Sequence, residues 1–248
     1  MDLQGKVAVV TGAGEGIGRA VAIKLARHGA TVIVGDINPI SSEETVSLIK
    51  KEGGNASKLI FDVADFDAVK EAMQKVITGY GGIDILVNNA GWDQIEPFLE
   101  NTTDVWDKVI NINYRGNIHC CRAVLDHMIE HKKGKIISLS SDAGRVGSTG
   151  ETVYAGTKGA IISFTKSLAR EMARYGININ CVAPGPTDTA FVQKIPEKLL
   201  DSLIRGIPFK RLAKPEEIAD AVYFFASSMS NYITGQVLSV NGGLTMAD

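Results

Sequence analysis

Lys6–Gly18 reads KVAVVTGAGEGIG. Val7 to Val10 form an apolar run with no polar break, which is how a strand buried on both faces reads. The run passes directly into a glycine-rich turn, Thr11 to Gly18, and then into an amphipathic stretch from Arg19 to His28 closed by Gly29. Strand, glycine turn and helix in that order are the setting a dinucleotide fingerprint needs. Glycines let the turn close and let backbone approach a pyrophosphate. The helix start supplies N–H groups without acceptors and a partial positive charge. Gly12, Glu15, Gly16, Ile17 and Gly18 are therefore candidate cofactor contacts.

A second strand follows at Thr31–Gly35 and ends in Asp36, eighteen residues after Gly18. That is close to the ~20 expected for a carboxylate that accepts from the adenosine ribose hydroxyls. The same charge would repel a 2′-phosphate. Ile37, which is not basic, and the acidic Glu15 point the same way, toward NAD rather than NADP. Asp62 and Val63 end a third strand, where an adenine could stack. Asn88, Asn89, Ala90 and Gly91 end a fourth, where small residues allow close approach of a ligand.

Seven strands are expected, at Val7–Val10, Thr31–Val34, Lys58–Phe61, Ile83–Val87, Lys135–Ser140, Ile177–Cys181 and Val237–Val240. They alternate with helical stretches near 17–28, 42–52, 66–79, 105–131, 153–174 and 216–228. Such alternation predicts a doubly wound α/β fold with a parallel sheet and helices on both faces. Ligands then bind beyond the carboxyl ends of the strands. No repeat or linker divides 1–248, so one dinucleotide-binding domain is expected. The irregular stretch 187–215, with Pro196, Pro208 and Pro215, is the expected substrate lid.

A net charge of −2 gives no nucleic-acid surface. Cys120, Cys121 and Cys181 have no metal or disulfide spacing and read as buried thiols in a reducing compartment. No apolar run reaches ~18 residues, so no membrane span is expected. The N-terminus goes straight into a strand and does not read as a signal peptide. The cytoplasm is the expected location, and no metal is expected.

Tyr154 and Lys158 stand four residues apart on a helical stretch, one turn apart on one face. Ser141 precedes Tyr154 by thirteen residues. A tyrosine titrates near ~10, and a neighbouring cation favours its phenolate. A serine hydroxyl can hold a carbonyl or hydroxyl oxygen. Together they can move a proton on and off an alcohol oxygen.

At this point the chain resembles the short-chain dehydrogenase/reductase family over nearly all of its length. The motifs are TGAGEGIG at 11–18, NNAG at 88–91, Asn113, Ser141, YAGTK at 154–158 and PGPTDT at 184–189. The glycine spacing 12, 16, 18 is the one this family uses. The resemblance implies a seven-stranded Rossmann fold, a homotetramer and a catalytic tetrad of Asn113, Ser141, Tyr154 and Lys158. Tyr154 would be the general acid/base and Ser141 would polarise the substrate oxygen. Lys158 would hold the nicotinamide ribose and lower the Tyr154 pKa. Asn113 would hold a water linking Lys158 to solvent. Pro184, Gly185, Thr187 and Thr189 would cover the nicotinamide and pyrophosphate.

The substrate candidates are Trp92, Asp93, Ser141, Asp142, Arg145, Glu151, Phe191 and Phe209. Trp92 can pack on an apolar ring. Arg145 can hold an anion or a thioester carbonyl, or pair with Glu151 or Asp142, with pairing preferred. NNAGWD at 88–93, SSDAGRVGSTGE at 140–151, PGPTDTA at 184–190 and GQVLSVNGGLTM at 235–246 are similar to dehydrogenases of 2-hydroxycyclohexane-1-carboxyl-CoA. This implies a ring-bearing β-hydroxyacyl-CoA and NAD. The alternatives are a 3-oxoacyl carrier-protein reductase, which typically uses NADP, an NAD-dependent dehydrogenase of polyols or cyclic alcohols, and a catalytically silent NAD-binding sensor.

Overall fold

The computed structural model describes residues 2–190, 192 and 197–247, without the side chains of 197–199. Seven parallel strands form one sheet: β1 (Val7–Thr11), β2 (Thr31–Asp36), β3 (Asn55–Ile60), β4 (Ile85–Asn88), β5 (Gly134–Leu139), β6 (Ile177–Pro184) and β7 (Val237–Val240). Their spatial order is β3-β2-β1-β4-β5-β6-β7. Direction of winding reverses between β1 and β4, and this opens a crevice beyond their carboxyl ends. The fold is the doubly wound α/β arrangement expected, with Rossmann topology.

Side chains alternate across each strand, so each strand feeds two cores. Ala8 and Val10 join Leu25, Val46, Ile218 and Val222 beneath helices α1 (Gly16–Arg27), α2 (Pro39–Lys51) and α9 (Pro215–Ala226). Val7 and Val9 join Met73, Val124, Met128 and Ala169 beneath α3 (Phe66–Tyr80), α5 (Gly116–His131) and α7 (Thr152–Met172). Both faces are covered, which explains the unbroken apolar run in β1. The remaining helices are α4 (Thr103–Val109), α6 (Ala143–Val146) and α8 (Glu197–Gly206).

Several expected boundaries move. The helical stretch expected at 105–131 runs from Thr103 to His131, with α4 and α5 joined through a wider π-type turn at Ile110–Arg115. Such turns cluster at functional sites, and this one carries Asn113. β3 begins at Asn55 rather than Lys58, because it pairs with β2 from Thr31 onward. β6 runs on to Pro184, paired first with β5 and then with β7. α2 starts at Pro39, where the Asn38 side chain accepts from the backbone N–H of Ile40 and Ser41, a polar cap followed by proline.

The 187–215 stretch leaves and returns at one point. Thr187 bridges Ala213, the Asp188 N–H donates to the Ala213 carbonyl and the Ala213 N–H donates to the Pro186 carbonyl. α8 lies within this excursion.

Glycine is required where α1 meets β1. A Cβ on Gly18 would stand 2.1 Å from the Gly12 carbonyl oxygen. Gly18→Ala should therefore lower Tm by about 5–10 °C. Gly79 lies in exposed helix with nothing within 4 Å of an added Cβ, so Gly79→Ala should raise Tm by about 2 °C. Differential scanning calorimetry of both variants checks the pair.

Candidate active site

The crevice is built by joining the ends of β1 and β4. The Thr11 hydroxyl accepts from the N–H groups of Asn89 (3.0 Å) and Ala90 (3.1 Å). The Asn89 amide donates back to the carbonyls of Thr11 (3.0 Å) and Gly12 (2.9 Å). Asn89 and Ala90 thus fasten the glycine turn to the neighbouring strand end. Ala90 lies so close to Gly12 that a Cβ on Gly12 would come within 2.8 Å of its Cα.

The turn has the form of an anion cradle. Glu15 precedes α1 without making a side-chain cap, and no acid stands in the first helical turn. The opening N–H groups of α1 therefore face outward without a side-chain acceptor. Thr189 is the nearest side chain to Gly16, with its methyl 3.5 Å from where a Cβ would stand. This places Thr189 against the turn. Thr187 is buried, and its hydroxyl donates to the Gly185 carbonyl. Gly185 packs against Asn241, where a Cβ would meet another Cβ at 2.7 Å.

Asp36 accepts from the Gly14 N–H (2.8 Å) and the Asn38 N–H (2.9 Å). Its carboxylate is thus fixed at the rim of the turn with lone pairs to spare for ribose hydroxyls. Ile37 is exposed. Arg19, whose role the sequence did not reveal, donates to the Gly14 carbonyl and the Thr45 hydroxyl and pairs with Glu44. That cation is committed to holding the turn. Asp62 caps its own turn through the Ala64 N–H, and Val63 is buried against Gly116. These residues fit a nicotinamide dinucleotide. A larger open groove of about 820 Å³ runs along α2, from Arg19 to Lys58, and holds none of the proton-handling candidates.

At the other end of the crevice, Lys158 is 4 % exposed and its ammonium donates to the Leu139 carbonyl at 2.8 Å. The Ser140 hydroxyl donates to the Lys158 carbonyl at 2.8 Å. Burial lowers the Lys158 ammonium to about 8. Its Nζ lies 5.4 Å from the centre of the Tyr154 ring. The Ser141 hydroxyl accepts from the Ala143 N–H at 3.2 Å and stands near enough to the Tyr154 phenol to oppose its rise. Serine, tyrosine and lysine therefore converge as expected.

The expected lowering of the Tyr154 pKa by Lys158 is not found. Burial pushes the phenol up, and the charges of Glu151 and Asp93 push it further, while the Ser141 hydroxyl opposes them. The Lys158 ammonium is directed to the Leu139 carbonyl and is itself desolvated. Asn113 has a further role. Its Oδ1 accepts from the Trp92 N–H (2.7 Å) and its Nδ2 donates to the Trp92 carbonyl (2.8 Å). Both ends of the amide clamp backbone, which leaves a second Oδ1 lone pair for any water. A Cβ at Gly91 would stand 3.2 Å from that oxygen and 3.7 Å from Lys158 Nζ, so all three share one corner.

Four substrate candidates take other roles. Asp142 accepts from Ser239 (3.1 Å) and Asn241 (2.5 Å), and Arg145 donates to Ser239 (2.8 Å) and the Ala247 carbonyl. Arg145 pairs with neither Glu151 nor Asp142; both Asp142 and Arg145 tie the Ser141 loop to the C-terminal strand and tail. Phe209 is 71 % exposed and packs beside Gly242. The Trp92 indole carries the Lys108 ammonium over its face at 3.9 Å, a cation–π contact rather than a free apolar wall. Phe191 lies outside the described residues. Asp93 and Glu151 stay at the site. Burial, and after it the Glu151 carboxylate, push Asp93 up to about 7, opposed by the Gln94 N–H and more weakly by Lys158. Among the described residues no cluster of His, Cys, Asp or Glu is placed to hold a metal, and no helix is long and apolar enough to cross a membrane.

Comparison with known proteins agrees with this geometry. The family described as enoyl-(acyl carrier protein) reductase matches residues 12–245. The chain is 41 % identical to 3-oxoacyl-[acyl-carrier-protein] reductase FabG of Thermotoga maritima, over 99 % of this chain and 100 % of that one. It is 40 % identical to human (3R)-3-hydroxyacyl-CoA dehydrogenase, over 98 % and 97 %. It is 36 % identical to (2S)-[(R)-hydroxy(phenyl)methyl]succinyl-CoA dehydrogenase subunit BbsD of Thauera aromatica, over 99 % of each. The crystal structure of gox2181 superposes with a TM-score of 0.94 at 32 % identity, covering 98 % of this chain and 96 % of that one.

The carboxyl pair gives the site a titration readable without substrate. A carboxyl raised in the folded state binds a proton that the unfolded chain has lost, so stability falls as pH climbs from about 4 to about 7. Asp93→Asn removes that loss. Its Tm should exceed the parent's by about 3 °C more at pH 8 than at pH 5, measured by scanning fluorimetry.

Proposed function

The chain belongs to the short-chain dehydrogenase/reductase family, and we propose that it is an NAD-dependent dehydrogenase of a secondary alcohol on a ring-bearing β-hydroxyacyl-CoA, such as 2-hydroxycyclohexane-1-carboxyl-CoA. The family uses nicotinamide cofactors and its relatives here act, by their names, on acyl thioesters. The observation that carries the reading is the convergence of the Ser141 hydroxyl, the Tyr154 phenol and the buried Lys158 ammonium. The nicotinamide, when bound, exchanges the hydride. What the chain supplies is control of the proton.

Tyr154 Oη is the general acid/base. Ser141 fixes the substrate oxygen against it. Lys158 provides the positive charge that a forming phenolate needs. That help is required, because burial, and after it the charges of Glu151 and Asp93, raise the phenol. Asn113 holds the Trp92 backbone, and so the wall between Gly91 and Asp93, in place. The excursion 187–215 serves as the substrate lid of a single-domain enzyme, with its base at the Thr187–Ala213 bridge. A homotetramer belongs to the same reading, supported by exposed apolar side chains at Val146, Leu238 and Met246.

Asp36 supports NAD. Its anchored carboxylate and Glu15 would face a 2′-phosphate, and Arg19 is held by Glu44 and the Gly14 carbonyl. The second reading is a 3-oxoacyl carrier-protein reductase, favoured by the identity to FabG.

The test is NAD(P)H formation with the cyclic thioester, with linear 3-hydroxyacyl-CoAs, with a 3-hydroxyacyl carrier-protein thioester and with alcohols lacking CoA, each with NAD and with NADP. Preference for the cyclic thioester with NAD is expected; preference for a carrier-protein thioester with NADP would replace this reading with the second. Tyr154→Phe should lower kcat by about a thousandfold while the Kd for NADH stays within about twofold. Asp36→Ala should weaken NAD binding about tenfold and narrow the NAD-over-NADP preference in kcat/KM.

A further inference from the structure

Asn241 follows β7 directly and is fixed from three sides. Its amide nitrogen donates to Asp142 Oδ2 at 2.5 Å and to the Thr245 carbonyl at 2.7 Å, and its Oδ1 accepts from the Gly243 N–H at 3.0 Å. Gly242 and Gly243 turn the chain with φ of 62° and 87°, a conformation glycine enters without steric cost. The return limb of the 187–215 excursion presses on that turn. The Phe209 N–H donates to the Gly242 carbonyl at 3.2 Å. A Cβ on Gly242 would stand 3.0 Å from the Ile207 methyl, and one on Gly243 would stand 3.1 Å from the Pro208 ring. On the inner side, the Gly185 N–H donates to the Val240 carbonyl at 3.0 Å, and Gly185 packs against the Asn241 Cβ.

Asp142 is the residue after Ser141. Its N–H donates to the Pro184 carbonyl at 2.9 Å, which holds the loop to the end of β6. Its carboxylate is buried and accepts from Asn241 and, at 3.1 Å, from the Ser239 hydroxyl. That hydroxyl in turn accepts from the Arg145 guanidinium at 2.8 Å. A buried carboxylate that loses a donor is costly to keep in place. Without the Asn241 amide, Asp142 would turn to recover a partner, and Ser141 is joined to it by one peptide.

We propose that Asn241 is a positioning residue for the reaction: through its bond to Asp142 it sets where Ser141 holds the substrate oxygen. The inference rests on the proposed role of Ser141. The lid's return limb bears on the same turn, so lid and serine share one support.

Asn241→Asp sets a second carboxylate against Asp142, where like charges repel. Its kcat should fall about fiftyfold, with the substrate KM within about threefold and the Kd for NADH within about threefold. An unchanged kcat overturns the inference. Asp142→Asn/Asn241→Asp restores a donor and an acceptor with their positions exchanged, and kcat should recover to within about tenfold of the parent. A double variant as slow as Asn241→Asp overturns the pairing. In a Ser141→Ala background, Asn241→Asp should lower kcat by less than about threefold more, because the residue it acts through is gone. A full further loss there marks a general structural role and overturns the inference. The substrate is the cyclic thioester with NAD, or the linear 3-hydroxyacyl-CoA if that is the one turned over. If circular dichroism shows Asn241→Asp unfolded, Asn241→Ser, which loses the reach to Asp142 and adds no charge, is read by the same criteria. Crystal structures of parent and variant test the claim without turnover. The Ser141 Cα should move by about 1 Å relative to Tyr154, and a loop that stays in place overturns the inference. A parent inactive on every alcohol overturns the proposed function, while the crystal structures still decide what holds Ser141.

Discussion

A buried ammonium holds this site together. Among the described residues no carboxylate is hydrogen-bonded to Lys158, and its charge rests on the Leu139 carbonyl at the end of β5. Removing a cation from water is costly unless it is well bonded. The surroundings are built accordingly. The Ser140 hydroxyl grips the Lys158 carbonyl. Gly144 presses against the same turn so tightly that a Cβ would stand 2.5 Å from the Lys158 carbonyl carbon. Strand end, Ser141 loop and α7 are locked at one residue. Tyr154, one turn earlier on α7, inherits that position beside Ser141.

The same lock explains why acids are tolerated nearby. Burial raises the phenol and Glu151 and Asp93 raise it further, which would handicap a lone tyrosine at neutral pH. With a fixed cation in the same corner they shape the field without emptying the site of positive charge. Behind this centre, Asp142 and Arg145 carry the Ser141 loop to Ser239, Asn241 and the tail. The end of the chain therefore helps set where Ser141 stands. The lid base at Thr187–Ala213 and the Gly185–Asn241 contact join the same block.

Much of this was legible in the sequence, where the signal is local. The unbroken run Val7–Val10, the glycines at 12, 16 and 18, and Asp36 at the next strand end announce the sheet and its crevice. The four-residue spacing of Tyr154 and Lys158 announces one helix face. The π-type turn at Ile110–Arg115 left no trace, because a single extra residue in a helix does not disturb apolar periodicity enough to be read. Arg145 was assigned the wrong partners because Ser239 and Ala247 lie about a hundred positions away. Asp93 and Glu151 were each noticed as polar residues near the site. That their segments meet across the crevice is set by the Glu96–Gly150 bond and by Asn113, not by either residue's neighbours in sequence.

The central claim is that desolvation at the joint of β5 and α7 sets the charge of Lys158. Titration of the protein labelled with carbon-13 at lysine Cε, with Lys158→Met to assign the resonance, measures this directly. A midpoint at about 8, well below the ordinary lysine value of 10.5, is the predicted result. A Lys158 resonance that titrates together with the exposed lysines would contradict the account.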